Sequence, residues 1–111
     1  MFKKSERLGR AKFTEYFKIG RRFHSDSFTL IYSPAPLRAV AVVVGKKVYK
    51  GAVDRNTLRR RVYAAVREEM VRKGITAGIF ILIAKPGVKE VPPAIFVSEL
   101  TNLLATVTKS R

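Results

Sequence analysis

Residues 79–84, IFILIA, form six consecutive apolar positions between Gly78 and Pro86, with no polar residue among them. Six residues are too few for a stable helix, and a strand with one wet face would alternate apolar with polar. The run is therefore predicted as a strand buried on both faces. This one strand constrains the whole fold, because apolar material must cover each side of the sheet that contains it.

The rest of the chain supplies that material. Residues 5–18 carry Leu8, Phe13, Tyr16 and Phe17 at mixed three- and four-residue steps and end at Gly20, a residue suited to a left-handed helix terminus, so a short first helix is predicted. Residues 54–73 contain no Gly or Pro, open on Asp54 as a candidate N-cap and stop at Gly74, predicting the longest helix. Behind Pro92 and Pro93, placed as at a helix start, Phe96, Leu100, Leu103, Leu104 and Val107 recur at helical spacing. Residues 28–33 (FTLIYS) and 39–44 (AVAVVV) read as strands separated by Pro34 and Pro36, and are predicted to pair antiparallel. The order is helix, strands, helix, strand, helix. At 111 residues this is one domain, 1–111, without repeat or linker, and residues 109–111 read as a frayed basic end.

Charge narrows the partner. Lys and Arg number 23 against 8 Asp and Glu, a net charge of +15, while 47% hydrophobic residues give the chain enough apolar content to fold. Such a field calls for an anionic partner, and nucleic acid is the commonest one. With no cysteine and His24 as the lone histidine, thiolate and His-based metal sites are excluded and a reduced, cytoplasmic setting is expected. His24 reads as a surface or strand-edge residue. The N-terminus lacks a signal-peptide apolar core, and no run approaches the roughly 18 apolar residues of a membrane helix, so neither secretion nor membrane association is expected.

Coiled at roughly 100° per residue, the segment 54–73 places Leu58, Val62, Ala65 and Val66 on a core face. Asn56, Arg60 and Arg67 cluster on one flank beside Tyr63, with Arg59 between that flank and the core. Arg61 and Arg72 fall on the far side near Glu68. Guanidinium groups at successive turns can grip phosphates in pairs of hydrogen bonds while an amide and a phenol reach bases. Pairs such as Glu68 with Arg72 and Glu69 with Lys73 describe an ordinary solvated helix, but they leave Arg55, Asn56, Arg59 and Arg60 without acidic partners.

The string KKV, three residues, AV, one residue, RN, then two further basic residues resembles the signature of the bacterial ribonuclease P protein family at Lys46, Lys47, Arg55, Asn56, Arg59 and Arg60. Thr57 and Tyr63 stand where that family usually has arginines, and Arg61 and Arg67 restore positive charge within one turn. Phe13, Phe17 and Gly20, the strand run before the lysine pair, the apolar strand ending Ala84-Lys85-Pro86-Gly87 and an apolar closing helix are also similar, so the resemblance spans essentially the whole chain.

The resemblance implies an α/β-class fold, an α+β two-layer sandwich of the ribosomal protein S5 domain 2-like kind, with the basic helix in a left-handed crossover between parallel strands. The general rule for such crossovers would give the opposite hand. It implies further that a catalytic RNA does the chemistry with magnesium, while the protein binds no cofactor, metal or small-molecule substrate of its own. Lys46, Lys47, Arg55, Asn56, Arg59, Arg60, Arg61 and Arg67 would bind that RNA. Phe13 and Phe17 would wall a cleft for the 5′ leader of precursor tRNA, with Tyr32 on the opposite wall. From spacing alone the two phenylalanines read as core, and the lysine pair reads equally as a solvated turn. The eight acids are scattered, which does not suit a protein-only, two-metal nuclease. The competing reading is a small ribosomal or RNA-chaperone protein without specificity for precursor tRNA.

Overall fold

The computed structural model describes residues 8–109. Its elements are α1 (Arg10–Ile19), β1 (Arg21–His24), β2 (Phe28–Ser33), β3 (Arg38–Val43), α2 (Ala52–Lys73), β4 (Gly78–Ala84), a 3-10 turn (Pro86–Glu90) and α3 (Pro93–Lys109). The expected helical start over residues 5–7 and the basic end at Ser110 and Arg111 lie outside the described residues.

The run IFILIA is the centre of the molecule. The four strands stand in the order β1-β2-β4-β3, with β4 antiparallel to β2 and parallel to β3. The expected antiparallel pairing of β2 with β3 is therefore incorrect, because β4 lies between them. β4 is buried on both faces, as its uninterrupted apolar sequence requires. Phe80 and Leu82 join Phe28, Leu30, Val40 and Val42 under α2 and α3. Ile79 and Ile81 face the other way with Ile31 and Ala41, against Phe13, Tyr16 and Phe17 of α1. This is the expected α+β sandwich, with α1 packed against the second face of the sheet.

β1, RRFH, pairs with β2 from Arg21↔Tyr32 to His24↔Thr29. It escaped the sequence reading because only Phe23 packs toward the core while its other residues are exposed. Two helix ends also differ from expectation. α2 begins at Ala52 behind Gly51, leaving Asp54 inside the first turn as a favourable charge near the helix N-terminus rather than as its cap. Gly74 does close α2 in the left-handed conformation, at φ 71°.

Gly20 closes α1 in an extended conformation, φ −68°, so the expected left-handed terminus is not what selects glycine there. Space selects it. A Cβ on Gly20 would lie 2.4 Å from Ile31 Cγ2, 2.9 Å from the Tyr16 carbonyl oxygen and 3.2 Å from that of Tyr32.

Two carboxylates bind the helical layer together. Glu69, buried between helices, pairs with Arg72 and lies 3.9 Å from Lys73. Burial pushes its carboxyl up, but the hydrogen bond and charge of Arg72, with help from Thr101 and Lys73, outweigh this and hold it below the usual range. Glu99 Oε1 accepts the Ser27 backbone N–H at 2.8 Å, joining α3 to the β1–β2 turn. Burial raises this carboxyl too, and hydrogen bonds from Ser27 and Ser25 with the Lys85 charge bring it net downward.

Both groups therefore bind protons less readily folded than unfolded. Their stabilisation is complete above the ordinary carboxylate range and is lost as pH falls through it toward the folded values. Urea midpoints at about pH 7 and about pH 3 should show this loss in the parent chain and a smaller pH difference in a Glu69→Gln, Glu99→Gln double variant. An equal difference in both proteins would remove these residues from the acid response.

Candidate RNA interface

The basic helix crosses from the end of β3 back to the start of β4, and its burial follows the wheel. Leu58, Val62, Val66 and Met70 are buried, and Ala65 is packed against them. Asn56, Arg60 and Arg67 are exposed on one flank. That flank faces the free edge of β3, since the Val42 N–H donates to the Tyr63 hydroxyl at 3.2 Å.

Tyr63, at a position expected to carry arginine, thus occupies an edge amide that would otherwise be open to strand addition. On the same edge the Leu8 N–H donates to the Val40 carbonyl at 3.4 Å, just before α1. The β3 edge is where the basic flank of α2 and the α1 face of the sheet meet.

Four of the basic positions have distinct surroundings. Lys46 and Lys47 are exposed in the turn after β3, closed by the Val48 N–H donating to the Gly45 carbonyl at 3.0 Å. α2 starts shortly afterwards with no side-chain cap, so its first amides add a partial positive charge near the lysine pair. Arg55 is half-buried, and its Nη1 donates to the Tyr49 carbonyl at 3.0 Å and the Lys50 carbonyl at 2.6 Å. It therefore holds the loop before α2. Arg59 donates to Asn56 Oδ1, which fixes both side chains beside Arg60.

Arg61 is separated from this group. It lies on the other flank of α2, lining a groove with Val88, Lys89 and Phe96, as expected of a residue placed on the far side of the wheel. Arg72, also on that side, pairs with Glu69 rather than Glu68. Thr57 donates its hydroxyl to the Val53 carbonyl at 2.9 Å, satisfying itself within the helix.

On the opposite face of the sheet, Phe13 and Phe17 are half-buried one helical turn apart, with ring centroids 5.7 Å apart and planes tilted by 30°. Both pack on the strip formed by Ile31, Ala41, Ile79 and Ile81 while keeping part of each ring accessible. Arg22 caps Phe17, its guanidinium carbon 4.8 Å from the ring centroid and its Nη2 donating to the Phe17 carbonyl at 3.0 Å. Arg22 is not among the residues that the sequence singles out. Its alternation with Phe23 along β1 is the signal that could have placed it.

Tyr32 does not stand opposite these rings. It is buried beneath the helical layer, 5.2 Å from Phe80 between ring centroids, on the other side of the sheet. The register pairs Tyr32 with Phe80 and Ile31 with Ile81, so Ile31 is the β2 residue beneath Phe13 and Phe17. One residue along a strand reverses the face.

Among the described residues no three His, Asp or Glu side chains gather where a metal could be held, so the donors present do not fit a two-metal nuclease centre. Among them, too, no helix is long and apolar enough to cross a membrane.

Residues 2–108 match the family described as Ribonuclease P. The ribonuclease P protein component of Parasynechococcus marenigrum (strain WH8102) is 31% identical, over 88% of each chain. That of Microcystis aeruginosa is 36% identical over 86% of this chain and 83% of its own. The RNase P protein of Thermotoga maritima superposes with a TM-score of 0.71 at 27% identity, covering 89% of this chain and 94% of the other. A mutant RNase P protein of Staphylococcus aureus has the same fold, with a TM-score of 0.75 at 23% identity over 95% of this chain and 90% of its own.

Proposed function

Since the chain belongs to the ribonuclease P protein family, we propose that it is the non-catalytic protein subunit of a ribonucleoprotein that removes the 5′ leader from precursor tRNA. The observation that carries this reading is the division of the surface into two parts. Asn56, Arg60 and Arg67 form an exposed basic flank on α2, with Arg59 tied to it, while Phe13 and Phe17 offer partly accessible rings on the opposite side of the sheet.

The flank suits a folded, catalytic RNA, because guanidinium groups bind phosphates without regard to sequence. Lys46 and Lys47 extend the positive field past the start of α2. The phenylalanine face suits a single strand, whose unpaired bases can stack on exposed ring surface. Arg22 beside Phe17 adds a cation for the strand's backbone. Bond cleavage and its magnesium are assigned to the RNA, and the protein's task is to hold RNA subunit and leader together. A net charge of +15 on 111 residues lowers the repulsion between those two polyanions.

The test is cleavage of a precursor tRNA by a bacterial ribonuclease P RNA at low magnesium and near-physiological salt, with and without the protein. Stimulation that needs the RNA, and that falls in a Phe13→Ala, Phe17→Ala variant for long-leader substrates but not for a substrate with a one-nucleotide leader, is the expected result. Tight general RNA binding without stimulation would instead support a ribosomal or RNA-chaperone role.

A further inference from the structure

The second flank of α2 is not used by the function proposed above. There, between α2, the 3-10 turn and the first turn of α3, a groove of about 340 Å³ opens to solvent. Its floor is apolar: Leu58, Val88 and Phe96 are core residues that show their outer surfaces to it. Two cations, Arg61 and Lys89, stand exposed at its mouth, and among the described residues no carboxylate lines it. Lys89 Nζ lies 5.2 Å from the centroid of the Tyr49 ring, so charge and aromatic surface adjoin.

An apolar floor with a cationic rim selects a ligand that is flat and apolar at one end and anionic at the other. A long aliphatic anion would satisfy the charge, but it would not use the half-buried ring of Tyr49. An extruded nucleobase with its phosphate satisfies both, since base faces stack on aromatic and apolar side chains while guanidinium groups take phosphate oxygens. The volume is in the range of small-ligand sites.

We propose that this groove binds one unpaired nucleotide of an RNA partner, with the base on the Leu58, Val88 and Phe96 floor and the phosphate held by Arg61 and Lys89. The chain would then grip RNA from both flanks of α2, by phosphates on the Arg60 side and by a captured nucleotide on the Arg61 side. The inference rests on the chain being an RNA-binding protein, but not on which RNA it serves.

Titration of the isotopically labelled full chain with adenosine monophosphate, inorganic phosphate and a short acidic peptide, followed by amide NMR shifts, tests it. The nucleotide should shift Ala64, Val88 and Val97, while phosphate alone should leave the floor unmoved. An Arg61→Ala, Lys89→Ala variant should weaken nucleotide binding at the groove roughly tenfold or more. Ala64→Trp, placed at an exposed rim position, should block it with shifts at Asn56, Arg60 and Arg67 retained. Nucleotide shifts confined to the Arg60 flank, floor shifts reproduced by phosphate, or tighter groove binding by the peptide would each overturn the proposal. Stimulation of cleavage without groove shifts would sink this inference alone, and groove shifts without stimulation would sink the subunit reading alone.

Discussion

Gly20→Ala should lower stability by about 1–3 kcal/mol, toward the upper end, and lower the melting temperature by roughly 10 °C or more. The added methyl would meet Ile31 Cγ2 at 2.4 Å and the Tyr16 carbonyl oxygen at 2.9 Å. Ile31 is buried and β-branched, so its Cγ2 has little room to turn aside, and a carbonyl in the last turn of a helix moves only with its helix. α1 must therefore tilt off the sheet, and Phe13 and Phe17 go with it. The proper control is Gly87→Ala, where nothing lies within 4 Å of the new atom and a change within about 0.5 kcal/mol is expected. Thermal melts of the two variants decide the matter. Equal melting temperatures would mean that the approach of α1 to β2 does not require glycine.

The second large effect concerns salt. In an Arg60→Ala, Arg67→Ala variant, the slope of log affinity for the catalytic RNA against log salt should become shallower by about two units, one per lost phosphate contact. Affinity near physiological salt should fall by roughly tenfold or more for each arginine, the usual cost of a charge-assisted hydrogen bond. Both residues are exposed, so the fold should survive. Arg55→Ala provides the contrast. Its guanidinium is spent on the carbonyls of Tyr49 and Lys50, so its loss should cost about 1–3 kcal/mol of stability with a smaller change of slope. An unchanged slope in the double variant would remove the Arg60 flank from the RNA interface.

Arg55 also marks the boundary of what the sequence discloses. Helical periodicity separates Arg60 and Arg67 from the core, and places Arg61 on the far flank, because 100° per residue is a local property of the backbone. Periodicity says nothing of the loop that folds back to take up Arg55. The strands divide in the same way. IFILIA announces burial on both faces by its composition, but its place between β2 and β3 is a long-range fact that no local pattern encodes. RRFH hides a strand among charges, since β1 needs only Phe23 for the core. Tyr32 shares a face with Phe28 and Leu30, opposite Thr29, Ile31 and Ser33; this alternation sorts the residues of FTLIYS into two faces but does not say which one α1 covers, and the packing of the finished sheet supplies it. Gly20 shows the same limit: glycine frees both the backbone angle and the space around it, and sequence does not separate the two.

The central position of β4 also sets an order of events during synthesis. β2 and β3 leave the ribosome early, but the partner that joins them comes last, since in the finished sheet they stand two strand spacings apart, roughly 10 Å. The cations of α2 are translated next, before the strand that will anchor the helix has been made. Until residue 84 emerges, the nascent chain carries a charged helix behind three strands, with an empty lane between β2 and β3. Such long-range closure is slow and leaves strand edges open to wrong partners. The surface proposed to bind RNA therefore reaches its working shape only when most of the polypeptide has been completed.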